Sequence, residues 1–283
     1  MANDISVSNS NKNNTDNRVT KSNQLIRSAR YRLTITQQKM LLYIMSAINL
    51  SDQPDHIYSF DIKSFCQANG LKVSAGGYYY RALKRQLESI DSYQAWIPTD
   101  DQGTIERFRW FDTIKIDPKH GCVDLSFHRS VRPYLFGLTS NFTSYSREEL
   151  RFFRCKYSFR LYEYLLSYLL EHNLAASSVT LTLDPISVSE LQDILDASTK
   201  VVGVDIKTNA EVTKPIFINF KDFRVNALDK AVNEINMYTN LHIEYALKMT
   251  KNKTSHVSFS IRSKDLFELM DKQNRLDAST SND

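Results

Sequence analysis

Amide and cationic side chains recur at helical spacing between residues 220 and 238. Asn226, Lys230 and Asn233 share one face, and Lys221 and Arg224 lie near the start of the same segment. The opposite face is apolar, so the pattern predicts an amphipathic helix whose polar face points outward. Asparagine can bind adenine through two hydrogen bonds, and arginine or lysine can bind guanine. Placed in a major groove, such a face could read a DNA sequence.

Alternating apolar residues follow this predicted helix over 242–249 and 256–261. The alternation predicts a two-stranded ribbon with one buried face. Lys248, Lys251 and Lys253 surround the predicted tip. A helix followed at once by a cationic ribbon is the arrangement in which a winged-helix domain meets duplex DNA. An ordinary α+β core with solvated lysines would give the same pattern in this segment alone.

The same order of predicted elements occurs twice in the chain. The first copy comprises helices over 37–49, 62–69 and 78–90 and strands over 57–61, 94–98, 105–117 and 123–127. The second copy comprises helices over 156–171, 188–197 and 220–238, a strand over 179–184 and the hairpin. Two copies of one plan predict an α+β fold of two tandem winged-helix domains, related by internal duplication.

Length and composition agree with two domains between polar ends. The chain has 283 residues, of which 42% are hydrophobic, and this suffices for two units of roughly 120 residues. The predicted divisions are a disordered polar tail over 1–20, an N-terminal winged helix over 21–142, a C-terminal winged helix over 143–266 and a polar tail over 267–283.

The sequence has neither an apolar run of membrane-spanning length nor a secretory signal, so we predict a cytoplasmic protein without a membrane partner. Its three cysteines, Cys66, Cys122 and Cys155, are far apart in the sequence. This spacing predicts buried thiols and indicates neither a disulfide framework nor a zinc site.

Positive charge is concentrated in particular segments, although the net charge is only +4. Arg81 and Arg85 lie one turn apart on the predicted helix over 78–90 and point away from its apolar face. Arg154 and Arg160 belong to a basic cluster at the start of the second copy. Such clusters favour DNA phosphates, because binding releases condensed counterions. A solvated surface would give the same pattern.

Catalytic chemistry is not indicated by the sequence. There is no Gly-x4-Gly-Lys-Ser/Thr loop for nucleotide phosphates. The six histidines form neither a His-x-His pair nor a ligand cluster, which a tyrosine nicking enzyme would need to hold a cation at the scissile phosphate. We therefore predict no catalytic residue, no metal site and no cofactor.

Three blocks of sequence are specific in combination. Residues 23–39 contain Asn-Gln-Leu-Ile and Leu-Thr-Ile-Thr-Gln-Gln-Lys, residues 142–165 contain Phe-Thr-Ser-Tyr and Tyr-Ser-Phe-Arg-Leu-Tyr-Glu, and residues 220–236 contain Phe-Lys-Asp-Phe-Arg-Val and Glu-Ile-Asn. In order and spacing, over about residues 20–265, they resemble the iteron-binding replication initiator (Rep) proteins of theta-replicating bacterial plasmids. Asn226-Ala227 and the long segment 200–214 depart from the family pattern.

The resemblance implies two tandem winged helices, with the main DNA-reading surface in the C-terminal one and accessory DNA contacts in the N-terminal one. Monomers of such proteins bind direct repeats in the origin, help to open an A·T-rich segment and recruit the host initiator and replicative helicase. Dimers commonly repress their own gene through an inverted repeat. A winged-helix transcriptional repressor, a rolling-circle nicking enzyme and a protein-interaction scaffold remain the alternatives.

The resemblance also implies a homodimer whose main interface lies in the first domain. Phe108 and Trp110 fall on one face of the predicted strand over 105–117, and Phe111 falls on the other. This is more aromatic surface than a simple wing needs, so we predict that these three residues form the dimer interface. The alternative is a central strand that is covered on both faces within one domain.

Overall fold

Two successive units of helices and antiparallel strands make up the chain. The computed structural model describes residues 17–49, 51–71, 78–91, 95–100, 102–176, 179–204, 211–251, 253–265 and 267–273. The first unit contains β1 (Arg18–Ser22), α1 (Asn23–Arg27), α2 (Ile35–Met45), β2 (Tyr58–Asp61), α3 (Ile62–Ala68), α4 (Tyr78–Glu88), β3 (Ala95–Pro98), β4 (Ile105–Phe108), β5 (Phe111–Asp117), β6 (Cys122–Phe127) and β7 (Phe142–Ser146).

The second unit begins with the longest α-helix, α5 (Lys156–Glu171). It continues with β8 (Leu181–Thr182), β9 (Ile186–Ser187), α6 (Val188–Ile194), β10 (Thr199–Val204) and β11 (Glu211–Pro215). A composite helix follows, formed by an α-helical turn over Phe220–Phe223, a π-helical turn over Arg224–Leu228 and an α-helix over Asp229–Tyr238. The hairpin of β12 (Leu241–Thr250) and β13 (Lys253–Ser263) completes the unit.

The sheets confirm the predicted helix-and-wing order in both units. In the first unit β2, β6 and β5 form an antiparallel sheet, and β3 pairs with β4. In the second unit β13 pairs with β12 on one side and with β8 and β9 on the other. The hairpin of β10 and β11 occupies the segment that departs from the family pattern in the sequence.

The strand predicted over 105–117 is two strands in the structure. The Oδ1 atom of Asp91 accepts a hydrogen bond from the backbone N–H of Trp110 at 2.7 Å, and its Oδ2 atom accepts one from Phe111 at 3.4 Å. Trp110 therefore lies between the two strands with its N–H held by a side chain, whereas Phe111 begins β5 opposite Phe127. The chain therefore leaves the β3–β4 hairpin and enters the sheet of β2, β6 and β5.

This change of sheet buries the aromatic residues that we assigned to the dimer interface. Phe108, Trp110 and Phe111 are each only 2% exposed. The Trp110 ring meets Tyr31 edge-on at 5.0 Å between centroids, and Phe111 packs on Phe127 at 5.5 Å. The assignment of these three side chains to a dimer interface is wrong, since they are covered within one chain.

Strand β1 pairs with β7 over the whole length of both strands, from Arg18 opposite Ser146 to Ser22 opposite Phe142. The predicted disordered tail is therefore too long at its inner end, since residues 18–20 lie in a strand; residues 1–16 lie outside the described residues. The predicted domain division after residue 142 falls within β7.

The far end of the chain is also more ordered than predicted. Residues 267–273 are helical, and residues 274–283 lie outside the described residues. Both terminal guanidinium nitrogens of Arg262 donate to the Glu268 carboxylate, at 2.7 and 2.8 Å. These bonds lower the pKa of Glu268 to about 2. The ion pair between Arg262, on β13, and Glu268 therefore fixes the start of the segment that we predicted as a polar tail.

One hydrophobic core runs through both units. Helix α5 lies within it, with Leu161, Leu165 and Leu169 fully buried. Cys66 is buried, whereas Cys122 and Cys155 are only half-buried, so the prediction of buried thiols holds for one of the three. Among the described residues, no helix is both long and apolar enough to cross a lipid bilayer.

A buried ion pair joins β1 to α5. Lys21 Nζ lies 2.6 Å from Glu163 Oε1, and the two residues are 4% and 2% exposed. The hydroxyl of Tyr145, on β7, donates to the same carboxylate. Burial and the Glu163 carboxylate raise the pKa of Tyr145 well above its usual value, so the phenol keeps its proton. The carboxylate is thus bound by one cation and one neutral donor.

Removal of the cation from this pair is expected to destabilise the protein strongly. Lys21→Met leaves the Glu163 carboxylate buried without its counter-ion, which should lower the free energy of unfolding by about 3–5 kcal/mol. Urea unfolding followed by circular dichroism measures this change. The double variant Lys21→Met/Glu163→Gln should recover much of the stability, because no uncompensated charge remains. Equal midpoints for Lys21→Met and the wild type would contradict the structural role of the pair.

Candidate nucleic-acid interface

The composite helix presents its predicted polar face to solvent. Asn219 begins it, since its side-chain oxygen accepts from the backbone N–H of Asp222 at 3.0 Å. The apolar face is covered by the core through buried residues at helical spacing: Phe223, Ala227, Leu228, Ala231, Val232 and Ile235. The prediction of an amphipathic helix over 220–238 is confirmed, with the addition of a π turn. Single π turns within α-helices occur frequently at functional sites.

The predicted DNA-reading residues lie together on the solvent side of this helix. Lys221, Asn226, Lys230 and Asn233 are exposed, and Arg224 is half-buried. Lys230 Nζ lies 3.4 Å from Asn226 Oδ1, which links two of them directly. Within the described residues Arg224 Nε makes no hydrogen bond; it lies 3.7 Å from Asp229 Oδ2. The face therefore presents the exposed amides of Asn226 and Asn233 and the ammonium groups of Lys221 and Lys230 to solvent, whereas Arg224 Nε is buried beside Asp229.

The hairpin extends beyond the core as a cationic wing. Its strands stay paired from Leu241 opposite Ser263 to Thr250 opposite Lys253. One face of its inner half is buried, through Leu241, Ile243, Val257, Phe259 and Ile261, whereas all three predicted wing lysines, Lys248, Lys251 and Lys253, are exposed. The wing thus combines a fixed base with a positively charged tip.

The Glu-Ile-Asn block fixes the composite helix relative to its neighbours. Asn236 donates to the Ile243 carbonyl at 2.8 Å and accepts from the Ile243 N–H at 2.7 Å, which joins the helix to the wing strand β12. Ile235, between the two polar residues, is fully buried. Tyr245 on β12 donates to Asp229 and forms a second link. The angle between helix and wing is therefore set by side-chain bonds.

Glu234 attaches the composite helix to the N-terminal end of α5. Its Oε1 atom accepts from the backbone N–H groups of Arg154 and Cys155 at 2.9 and 3.1 Å, and its Oε2 atom accepts from the Ser158 hydroxyl at 2.6 Å. A carboxylate is favoured there, because the first N–H groups of a helix lack partners within it and carry partial positive charge. Glu234 and Asn236 were not predicted as site residues; their specific sequence block was the available signal.

Of the two predicted cations near α5, only Arg154 is available to DNA. Its side chain is exposed. Arg160 is 5% exposed, and its guanidinium donates to the Ile194 and Ala29 carbonyls and to the Tyr31 hydroxyl, at 3.0, 2.8 and 2.6 Å. The prediction that Arg160 binds DNA is wrong, because its guanidinium is buried and each of its nitrogens donates to an acceptor within the chain, two of them to the first unit.

Further cations lie close to Arg154. Lys39 Nζ, on α2, donates to the Arg151 carbonyl at 2.6 Å. Burial lowers the pKa of Lys39, nearby Arg154 lowers it further, and Glu234 opposes the change. Arg147 donates to Asn17 Oδ1 at 2.9 Å, and burial lowers its pKa as well. Arg154, Lys39 and Arg147 thus form a cluster of positive charge, which begins near the Glu234 carboxylate and extends onto the first unit.

In the first unit, Arg81 and Arg85 are exposed on α4, as predicted. Between them, Lys84 forms an ion pair with Glu88 at 3.6 Å. Leu83 and Leu87, on the opposite face, are buried. Helix α4 therefore offers two exposed guanidinium groups, whereas the neighbouring amide, Gln86, is half-buried and accepts from the Thr34 hydroxyl at 2.6 Å. The part of the chain that the structure describes has no group of three His, Cys, Asp or Glu side chains placed to hold a metal ion.

Comparisons with known proteins match this architecture. The family described as "Initiator Replication protein, WH1" matches residues 18–166, and the family described as "Initiator Rep protein, WH2" matches residues 187–261. A replication initiation protein of Escherichia coli is 26% identical over 170 residues, which cover 59% of this chain and 52% of that protein. The chain thus matches about half the length of this curated relative.

Among solved structures, a crystal structure of the Pi initiator protein in complex with iteron DNA has a similar fold. The TM-score is 0.68, the sequence identity is 16%, and the match covers 89% of this chain and all of that chain (100%). At this identity the similarity concerns the fold, and it agrees with the tandem winged-helix prediction.

The different positions of Arg154 and Arg160 predict different effects of their removal. Arg160→Ala leaves the buried carbonyls of Ala29 and Ile194 without their donor, which should cost roughly 2–4 kcal/mol of unfolding free energy. Arg154→Ala should change stability by less than about 0.5 kcal/mol, since it removes only an exposed side chain. Both are measured by urea unfolding. A larger destabilisation by Arg154→Ala than by Arg160→Ala would contradict the assignment.

Proposed function

Because the chain belongs to the initiator replication protein family, we propose that it is a plasmid replication initiator that binds repeated origin DNA (iterons) through its two winged helices. The observation that carries this proposal is the composite helix, whose exposed amide and cationic face is held by Glu234 on one side and by Asn236 on the other. The Pi initiator protein, which has a similar fold, is described in complex with iteron DNA.

In this proposal the composite helix enters a major groove and the wing follows the adjacent backbone. Asn226 and Asn233 can form paired hydrogen bonds with adenine, and Arg224 or Lys230 can bind guanine. The wing lysines, Arg154 and the pair Arg81 and Arg85 bind phosphates and fix the position of the protein on the duplex. Two modules separated by one helical turn can occupy successive major grooves on one face of DNA.

Binding alone can supply the work of initiation, without covalent chemistry. The binding free energy of two linked modules can drive the bending and unstacking of DNA, which costs a few kcal/mol. Monomers would bind direct repeats, help to open the adjacent A·T-rich segment and recruit the host initiator and replicative helicase. Dimers would repress the gene through an inverted repeat. Their interface needs a surface other than Phe108, Trp110 and Phe111, which the monomer already buries.

Replication in trans tests the proposed function. A plasmid that contains the DNA flanking the gene, but not the gene, should replicate only when the protein is supplied from a second plasmid. The control plasmid has its repeats scrambled and should not replicate. Binding to the repeats without support of replication would favour a winged-helix repressor. Relaxation of supercoiled origin DNA in Mg²⁺ or Mn²⁺ would favour a nicking enzyme.

Helix and wing are predicted to contribute differently to sequence preference. Asn226→Ala should weaken binding by about 1–3 kcal/mol and relax the preference at one or two base positions. Lys251→Ala or Lys253→Ala should weaken binding to all sequences nearly equally, because phosphates are common to every sequence. Fluorescence anisotropy with a panel of single-base variants measures both effects. An equal decrease of preference in helix and wing variants would argue against this division.

The first unit is predicted to contribute salt-sensitive affinity. Arg81→Ala/Arg85→Ala should reduce the slope of log affinity against log salt concentration by about 0.9 for each phosphate that the variant no longer neutralises. The ranking of DNA sequences should remain as in the wild type, since phosphate contacts carry no sequence information. A salt series by fluorescence anisotropy gives the slope. An unchanged slope would identify this face as solvent-exposed surface or as a protein interface.

A further inference from the structure

An apolar side chain interrupts the polar face of the composite helix. Val225 is 44% exposed, although it lies between Arg224 and Asn226, which we assign to base contacts. The other valine and leucine residues described in this helix, Leu228 and Val232, are buried in the core. Consecutive residues of a helix do not share a face, so Val225 lies at the edge of the hydrogen-bonding surface, where water covers its apolar area in the free protein. A groove could cover it in a complex.

The π turn reduces the angle between these three consecutive side chains. Its backbone bonds join residues five apart, compared with four apart in an α-helix. More residues therefore share one turn, and consecutive side chains are separated by a smaller angle around the axis. Arg224, Val225 and Asn226 all belong to this turn. Val225 therefore lies next to Asn226 on the flank of the face that we propose to read bases, and its methyl groups are exposed there.

Only one group in the major groove complements an apolar side chain. Each base pair presents donors and acceptors there, and thymine alone adds a 5-methyl group. An adenine bound by Asn226 is paired with thymine, and neighbouring A·T pairs present the same methyl. Burial of a methyl against valine removes apolar area of both from water. Cytosine has a hydrogen in place of that methyl group, and an amino group in place of the O4 acceptor of thymine.

We propose that Val225 is a specificity-determining residue that recognises the 5-methyl group of a thymine in the repeat. This inference rests on the proposed DNA-binding function and adds a base-specific apolar contact to it. The partner is duplex DNA because the surrounding side chains, Lys221, Arg224 and Lys230, are cationic. A protein partner at this face is the alternative that the experiment distinguishes.

Deoxyuridine substitution tests the contact by removal of the base methyl. In the tightest-binding repeat, each thymine is replaced in turn by deoxyuridine, and dissociation constants are measured by fluorescence anisotropy. One substitution should weaken wild-type binding roughly fourfold, as expected for about one buried methyl group. Val225→Ala should weaken binding to the thymine duplex by a similar factor or more. The same deoxyuridine substitution should then have no further effect on Val225→Ala.

Val202→Ala provides a matched control, since Val202 lies on β10 and is 46% exposed. This variant should retain the full deoxyuridine penalty. Val225→Thr keeps the β-branched shape but replaces one of the two methyl groups by a hydroxyl, so it should retain only part of the penalty. Both Val225 variants should unfold at the urea concentration of the wild type, because Val225 is not in the core.

The outcomes separate this inference from the proposed function. Sequence-specific binding in which every deoxyuridine penalty persists in Val225→Ala overturns the inference and leaves the proposed function intact. Wild-type protein without preference for any DNA sequence overturns both. Disappearance of the penalty in the Val202→Ala control also overturns the inference, because the effect would then not be specific to the composite helix.

Discussion

The carboxylate of Glu234 sets the position of the composite helix relative to the rest of the protein. It belongs to the composite helix, yet its hydrogen bonds are made to Arg154, Cys155 and Ser158 at the start of α5. Cys155, which directly precedes α5, makes no side-chain capping bond to the helix. The unpaired N–H groups at the start of α5 therefore donate to the Glu234 carboxylate of the composite helix, so that both ends of the contact have hydrogen-bond partners. Any displacement of the composite helix would leave the Glu234 carboxylate and these N–H groups without hydrogen-bond partners.

Helix α5 transmits this constraint to the first unit. Its residues Glu163 and Arg160 form buried polar contacts with β1 and with the segment 29–31. Removal of one partner of a buried ion pair strongly lowers the stability of the fold. The intact pair, however, adds little net stability compared with apolar packing. The more direct consequence of these contacts is geometric. They define one arrangement of the two winged helices, and with it the spacing at which two grooves can be occupied.

The local elements were predictable from the sequence, because their signals are periodic. Helix α5 has the predicted bounds, and the composite helix and the wing follow the predicted pattern. Contacts between distant segments were not predictable. Strand β1 has a mixed polar sequence and pairs with a strand more than a hundred residues later. The break at Trp110 depends on Asp91. An arginine such as Arg160 looks like a surface cation until its buried acceptors are known.

Arg154 shows how the same junction can link phosphate contact to base reading. Its backbone N–H is held by Glu234, while its side chain is exposed beside the composite helix. Since phosphate contacts determine the register of a protein on DNA, a cation whose backbone is attached to the reading helix fixes that register directly. The flexible arginine side chain can adjust to the phosphate, but its origin cannot move independently of Asn226 and Asn233. Affinity and sequence preference would therefore depend on one rigid connection.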